Sequence, residues 1–153
     1  MNEKTNASGV ARFTKILLDI MFYCGIAATV SLPWSFRWAA KYYPSLLKHY
    51  GFHVVLFMIS AVGAVLIIFE LRRMFRTVLS GDCFVEANVK SLRNMGWLGI
   101  GIAVVTAMRL FILLTPATLI IIVVFFVAGL FSFVLSQVFD RAVRYKEEND
   151  LTI

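Results

Sequence analysis

Four long apolar runs dominate this chain and constrain its fold more than any other feature. The last of them, residues 117–139, contains no charged side chain. About 20 apolar residues at helical rise cover the hydrocarbon core of a bilayer, so each run predicts a transmembrane helix. We therefore predict an all-α integral membrane protein that forms one domain, 1–153, with four transmembrane helices in two hairpins. The predicted spans are 14–36, 52–75, 95–115 and 117–140.

Composition supports this class of protein and argues against a soluble one. The chain is 60% hydrophobic and 16% charged, whereas soluble domains are about 45–50% apolar and about 25% charged. The basic start followed by an apolar run is similar to a secretory signal. However, the run is longer than a signal core and lacks a small-residue cleavage site, so we interpret it as a retained helix.

The distribution of basic residues predicts the orientation of the chain. Of its 15 Lys and Arg residues, four lie on the side opposite the termini, which leaves eleven on the side of the termini. Lys and Arg accumulate on the cytoplasmic side of membrane proteins, so we expect both termini in the cytoplasm of a multi-pass cell-membrane protein. The net charge of +6 suits contact with membrane lipids, and no basic stripe with interleaved aromatic residues predicts direct nucleic-acid binding. The four residues on the opposite side are Arg37, Lys41, Lys48 and Arg109.

A polar connector, residues 80–94, separates the second and third spans and is longer than a turn requires. Gly81 is placed to end the second helix in the left-handed conformation, and Asp82 is expected to cap the next helix. From Val85 the apolar residues recur at helical spacing, and Glu86 and Lys90 form a favourable i,i+4 pair. The connector is therefore predicted to contain a short amphipathic helix, which either lies on the lipid headgroups or docks a cytoplasmic partner.

The connector and the chain end resemble an uncharacterised family of bacterial four-span membrane proteins, domain of unknown function 2975. That resemblance implies the inner membrane of a bacterium and, because such genes commonly neighbour one for a small helix-turn-helix regulator, a regulatory pairing. It implies no established activity. The family often has Pro where this chain has Cys83, which departs from its pattern. The matching residues are Gly81, Phe84, Asn88, Leu92, Arg93, Gly96, Glu148, Asn149, Asp150, Leu151, Thr152 and Ile153.

Our leading hypothesis is a non-enzymatic, membrane-anchored regulatory protein that engages a cytoplasmic partner, such as a small DNA-binding regulator. The tail, residues 141–153, either frays in solvent or folds back to form one cap with the connector. The hypothesis assigns the partner surface to residues of both segments. They are Gly81, Phe84, Asn88, Leu92, Arg93, Glu148, Asn149, Asp150, Leu151, Thr152 and Ile153.

Ionisable residues at membrane depth are costly and mark candidate functional positions. We expect Asp19 to pair with Arg72 or Arg73 at the end of the second span, as a structural pair rather than a proton relay. Glu70 lies at the same depth. Arg109, near the far end of the third span, either extends outward to phosphates or points between the helices toward an anionic group.

The alternative hypothesis is a protein that handles a small molecule, lipid or peptide, of the toxin-immunity or efflux-accessory type. Its site would lie between helices near Arg109 and Trp34. Trp34, Trp38 and Tyr42 recur at every fourth residue, which suits either an interfacial aromatic belt or an aromatic ligand cleft.

Nothing in the sequence predicts a cofactor, a metal site or an enzyme. His49 and His53 have the spacing of ligands on one helix face, but no third ligand is near them and no catalytic motif occurs. The small residues Gly99, Ala103 and Ala107 form a stripe suited to close helix packing, within the chain or in a homo-oligomer.

Overall fold

The computed structural model describes residues 2–42, 50–111 and 115–150, and this part of the chain is helical with no strand. All four long helices contain segments long and apolar enough to cross a membrane, which confirms the predicted fold class. A single 3₁₀ turn, Arg109–Phe111, follows the third helix. The helices are α1 (Asn2–Ala40), α2 (Tyr50–Leu79), α3 (Glu86–Met108) and α4 (Pro116–Asp150).

The four helices form an open row in chain order rather than a closed bundle. Helix α1 packs against α2, α2 against α3, and α3 against α4, each pair antiparallel. Among the described residues, α1 and α4 share at most marginal contact, although a closed bundle would bring them together. Lipid chains are as apolar as the helix surfaces, so the hydrophobic effect does not close the row. The chain start, the connector and the chain end share one end of the row, the connector end.

The backbones of α3 and α4 approach each other closely. A Cβ atom on Gly99 would lie 3.1 Å from the Gly129 Cα and 3.1 Å from the Phe125 carbonyl oxygen. A Cβ on Gly129 would lie 3.0 Å from the Gly96 carbonyl oxygen. Gly99 of the predicted stripe therefore lies in close helix contact, with α4 of the same chain.

Helix α2 ends as its sequence predicts. Gly81 has φ +86°, which is the left-handed region that glycine adopts without strain. Its N–H donates to the Val78 carbonyl (3.2 Å), and the Asp82 N–H donates to the Thr77 carbonyl (3.2 Å). These two bonds form a Schellman motif, which satisfies carbonyls at the helix end.

The start of α3 differs from expectation in one respect. Asp82 does not cap the helix: the residue at the cap position is Val85, and no side chain bonds there. The Asp82 carboxylate instead pairs with Lys146 of α4, at 2.7 Å. The amphipathic segment is the first part of α3 itself, and the predicted Glu86–Lys90 pair is present at 3.0 Å.

Candidate interaction surface at the connector end

Asn88 fixes the path of the connector from inside. Its side chain is 1% exposed, and its Nδ2 donates to Thr77 Oγ1 (2.8 Å) and to the Cys83 carbonyl (2.8 Å). One amide group thus joins the end of α2, the non-helical turn and the first turns of α3. A buried amide with its partners satisfied rigidifies its surroundings, because any other path of the chain would leave a polar group unpaired.

Helix α4 is held against the connector by three further contacts. The buried Ser136 hydroxyl donates to the Val89 carbonyl at 3.2 Å. The rings of Phe84 and Phe139 lie 5.5 Å apart, and Lys146 pairs with Asp82. The C-terminal part of α4 and the connector therefore form one structural unit at the connector end.

The predicted partner surface divides into an exposed and a buried set. Phe84, Gly81 and Arg93 lie on the surface. Asn88 and Leu92 do not: they are 1% and 4% exposed, so they belong to the interior and cannot contact a partner in this conformation. The Asn88 amide joins the connector to the end of α2 instead.

The tail continues α4 as helix through Asp150, so no fold-back occurs before that residue. Glu148 and Asn149 are exposed on this helical extension. The side chain of Asp150 and the predicted surface residues Leu151, Thr152 and Ile153 lie outside the described residues.

The predicted ion pair between α1 and α2 is present. Arg72 Nε lies 2.5 Å from Asp19 Oδ1, and the two side chains are 13% and 34% exposed. The same guanidinium lies 4.4 Å from the centre of the Phe22 ring. Of the two arginines that the sequence left open, Arg72 is therefore the partner, and Arg73 is exposed.

A second polar contact, between α2 and α3, was not predicted from the sequence. Glu70 is 8% exposed; its Oε2 accepts from the Ser91 hydroxyl (2.7 Å) and its Oε1 from Asn94 Nδ2 (2.8 Å). Ser91 and Asn94 are one turn apart on α3, a spacing that marks a polar spot on an otherwise apolar face. The spacing of these two residues could have indicated a polar contact on α3, but it does not identify which helix packs against that face.

The opposite end of the row brings fewer polar groups together. The guanidinium of Arg109 lies over the Phe57 ring, 3.8 Å from its centre, so it points between helices rather than outward. Its Nε is buried without a hydrogen-bond partner among the described residues. Trp34 borders a separate cleft between α1 and α2, lined also by Pro33 and Tyr50 but not by Arg109.

The histidine pair predicted near the start of α2 is only partly described. His53 is 3% exposed on α2, and His49 lies outside the described residues. Within the described ranges, no three His, Cys, Asp or Glu side chains are grouped as metal ligands would be.

Comparison with known proteins adds one finding. The profile of the family described as Protein of unknown function (DUF2975) matches residues 26–153, which includes the C-terminal part of α1 and all that follows. No match was found among curated proteins or among solved structures.

Proposed function

The chain belongs to the DUF2975 family, which is described as of unknown function. We therefore propose a function from the geometry of the chain itself. We propose a non-enzymatic, membrane-anchored interaction protein that binds a cytoplasmic protein through its connector end. The observation that carries this proposal is the single unit formed by the connector and the C-terminal part of α4. A surface whose backbone is already ordered loses less conformational entropy on binding, which favours recognition.

The exposed side chains of this unit suit a protein partner. Phe84 is 47% exposed although its ring also contacts Phe139, and aromatic side chains with an ordered base are common anchors of interfaces. Arg93 is exposed on α3, and Arg144 is exposed on α4. An exposed aromatic ring and exposed arginines on one structural unit favour a partner with an apolar pocket and an acidic rim.

The proposed orientation places this surface in the cytoplasm of a bacterium. Eleven of the 15 Lys and Arg residues belong to the connector side, and only four to the other side. The partner that we propose is a small soluble helix-turn-helix regulator, held at the membrane by the connector end.

Affinity capture from native membranes tests the proposal. The intact chain is compared with a chain truncated after Tyr145, which removes Lys146 and the rest of the tail. We expect a soluble regulator to be recovered with the intact chain and lost on truncation. Phe111→Ala, which alters an exposed ring at the opposite end, is the matched control and should leave recovery unchanged.

The ligand-handling alternative has one observation in its favour, the buried Nε of Arg109 without a hydrogen-bond partner in the described structure. A buried polar atom in this state is unusual and can indicate a missing ligand. If truncation leaves the captured proteins unchanged, while Arg109→Ala abolishes a cellular phenotype, the ligand-handling function replaces the proposed one.

A further inference from the structure

Among the described residues, Glu70 is a buried acid without a cation beside it. Within the described ranges, no Lys or Arg nitrogen lies within 4.0 Å of its carboxylate. Arg72, two residues along α2, is paired with Asp19, and Arg73 is exposed. Ser91 and Asn94 supply one hydrogen bond to each carboxylate oxygen. A carboxylate has about four acceptor positions, so about two remain for a further donor.

Glu70 borders a furrow that runs along the α2–α3 contact on the surface of the row. One cleft is lined by Glu70, Asn94 and Phe69, and a second, fully apolar cleft continues from it toward the opposite end. The two clefts share three lining residues, which makes them one furrow: Leu66, Trp97 and Leu98.

The length of the furrow matches one leaflet of a bilayer. On α2 its lining extends from Ile59 to Glu70, a separation of eleven residues by their numbers. At a rise of 1.5 Å per residue this is about 16 Å, whereas the hydrocarbon core is about 30 Å thick. A transmembrane helix of a partner would need a groove of about the full thickness, so the furrow fits a lipid chain better.

We propose that this furrow binds a membrane lipid with a primary ammonium headgroup, of the ethanolamine type. The ammonium donates to the free acceptor positions of Glu70, and one acyl chain lies along Leu66 toward Ile59. Charge complementarity favours an ammonium headgroup, because a buried carboxylate is stabilised by a cation that can also donate hydrogen bonds. This site is separate from the protein-binding surface proposed above, and it goes beyond that function.

Native mass spectrometry of the protein released from mixed-lipid nanodiscs tests the proposal. The probes are phosphatidylethanolamine, phosphatidylcholine and phosphatidylglycerol with identical acyl chains. We expect phosphatidylethanolamine to be retained about tenfold or more over phosphatidylcholine, whose quaternary head cannot donate. Equal retention of the three lipids would overturn the proposal.

Two variants test the contact with the lipid headgroup and the contact with the acyl chain separately. Glu70→Gln removes the charge and should reduce the preference for phosphatidylethanolamine to less than about twofold. Gly101→Leu places a side chain in the furrow, where a Cβ meets no atom within 4 Å, and should abolish retention of the lipid while the protein still folds. If Glu70→Gln keeps the full preference for phosphatidylethanolamine, or if Gly101→Leu still retains this lipid as the natural chain does, the site is not there.

One control variant and two tests of other occupants complete the experiment. Asp140→Asn alters a carboxylate that is already paired with Arg144, at 3.1 Å, and should leave the preference intact. Dodecylammonium added in detergent tests a free amine: if it binds at Glu70 while phosphatidylethanolamine does not, the lipid assignment is wrong. A dimer in nanodiscs that Gly101→Leu converts to monomer would show that a second copy covers the furrow, which also contradicts the proposal.

Discussion

At the connector end, hydrogen bonds or ion pairs join each pair of neighbouring helices, whereas the described contacts at the opposite end are mostly apolar. Asp19 and Arg72 join α1 to α2, Glu70 and Ser91 join α2 to α3, and Ser136 joins α4 to α3. At the opposite end, the Tyr50 hydroxyl donates to the Pro33 carbonyl at 3.1 Å, and Arg109 lies over Phe57.

This difference teaches what sets the register of helices in an open row. Apolar contact with a neighbouring helix and apolar contact with lipid are similar in free energy, so apolar packing alone discriminates poorly among registers. A buried hydrogen bond is satisfied in one register and broken in the others. The connector end is thus where the register of the helices is fixed, and it is also the end at which we propose that a partner binds.

The largest effect is expected midway between the two ends. Gly99→Leu would force a side chain against the backbone of α4, where the atoms at 3.1 Å cannot rotate away. We expect a loss of about 3 kcal/mol or more in the free energy of unfolding in detergent. Gly101→Leu, on the same helix with open space at its Cβ, should be neutral or gain up to about 1 kcal/mol. Equal behaviour of the two variants would show that α3 and α4 are not in backbone contact.

A matched pair of buried polar residues compares the two ends directly. Asn88→Ala at the connector end removes the hydrogen bonds to the Thr77 hydroxyl and to the Cys83 carbonyl. The Thr77 hydroxyl keeps its bond to the Met74 carbonyl, so the cost should be about 2–3 kcal/mol. Thr118→Ala at the opposite end removes one hydroxyl contact, with Thr115 at 2.7 Å, and should cost about 1 kcal/mol. Chemical unfolding of both variants measures the difference. A larger loss of unfolding free energy for Thr118→Ala than for Asn88→Ala would contradict the difference between the two ends.

The ion pair between α1 and α2 should have an intermediate effect. Asp19→Asn leaves the Arg72 guanidinium without its carboxylate. Losing one member of a fully buried pair costs about 3–5 kcal/mol. Because the Asp19 side chain is 34% exposed, we expect a smaller loss of about 1–2 kcal/mol. Thermal unfolding of the variant in nanodiscs measures this loss, and unchanged stability would mean that the pair does not position α1. Arg73→Gln, which alters the exposed neighbour, is the control.

The smallest effect is expected at the surface of the connector end. Asp82 and Lys146 are about half exposed, so their coupling in a double-mutant cycle should be only about 0.2–1 kcal/mol. Exchanging the two charges, with Asp82→Lys and Lys146→Asp together, should restore most of the free energy of unfolding that either single change removes. If the exchange is no better than the single variants, the pair does not hold α4 to the connector.

Local sequence signals predicted those features of the fold that depend on neighbouring residues. The spans follow from the length of the apolar runs, and the end of α2 follows from Gly81, which alone can take a positive φ there without strain. The pairing of Asp19 with an arginine on α2 also followed, because the two charges lie at equal depth in antiparallel helices.

Features that depend on how the helices face one another could not be predicted in the same way. Asn88 was assigned to the partner surface because it is one of the residues that carry the family resemblance, and only the fold shows that it bonds Thr77 and Cys83 in the interior. Gly129 was not identified because its role depends on the backbone of Gly96 and Gly99 across the α3–α4 contact. Helical periodicity defines the faces of each helix but not which faces meet.

The central claim is that the connector end, and not the opposite end, contacts a protein partner. Two exposed rings sample the two ends, Phe84 at the connector end and Phe111, which is 93% exposed, at the opposite end. A photo-reactive phenylalanine analogue at each position, irradiated in intact cells, measures contact in the native membrane. The account predicts a crosslink to a soluble protein from position 84 and none from position 111. Crosslinks to the same protein from both positions, or from position 111 alone, would contradict it.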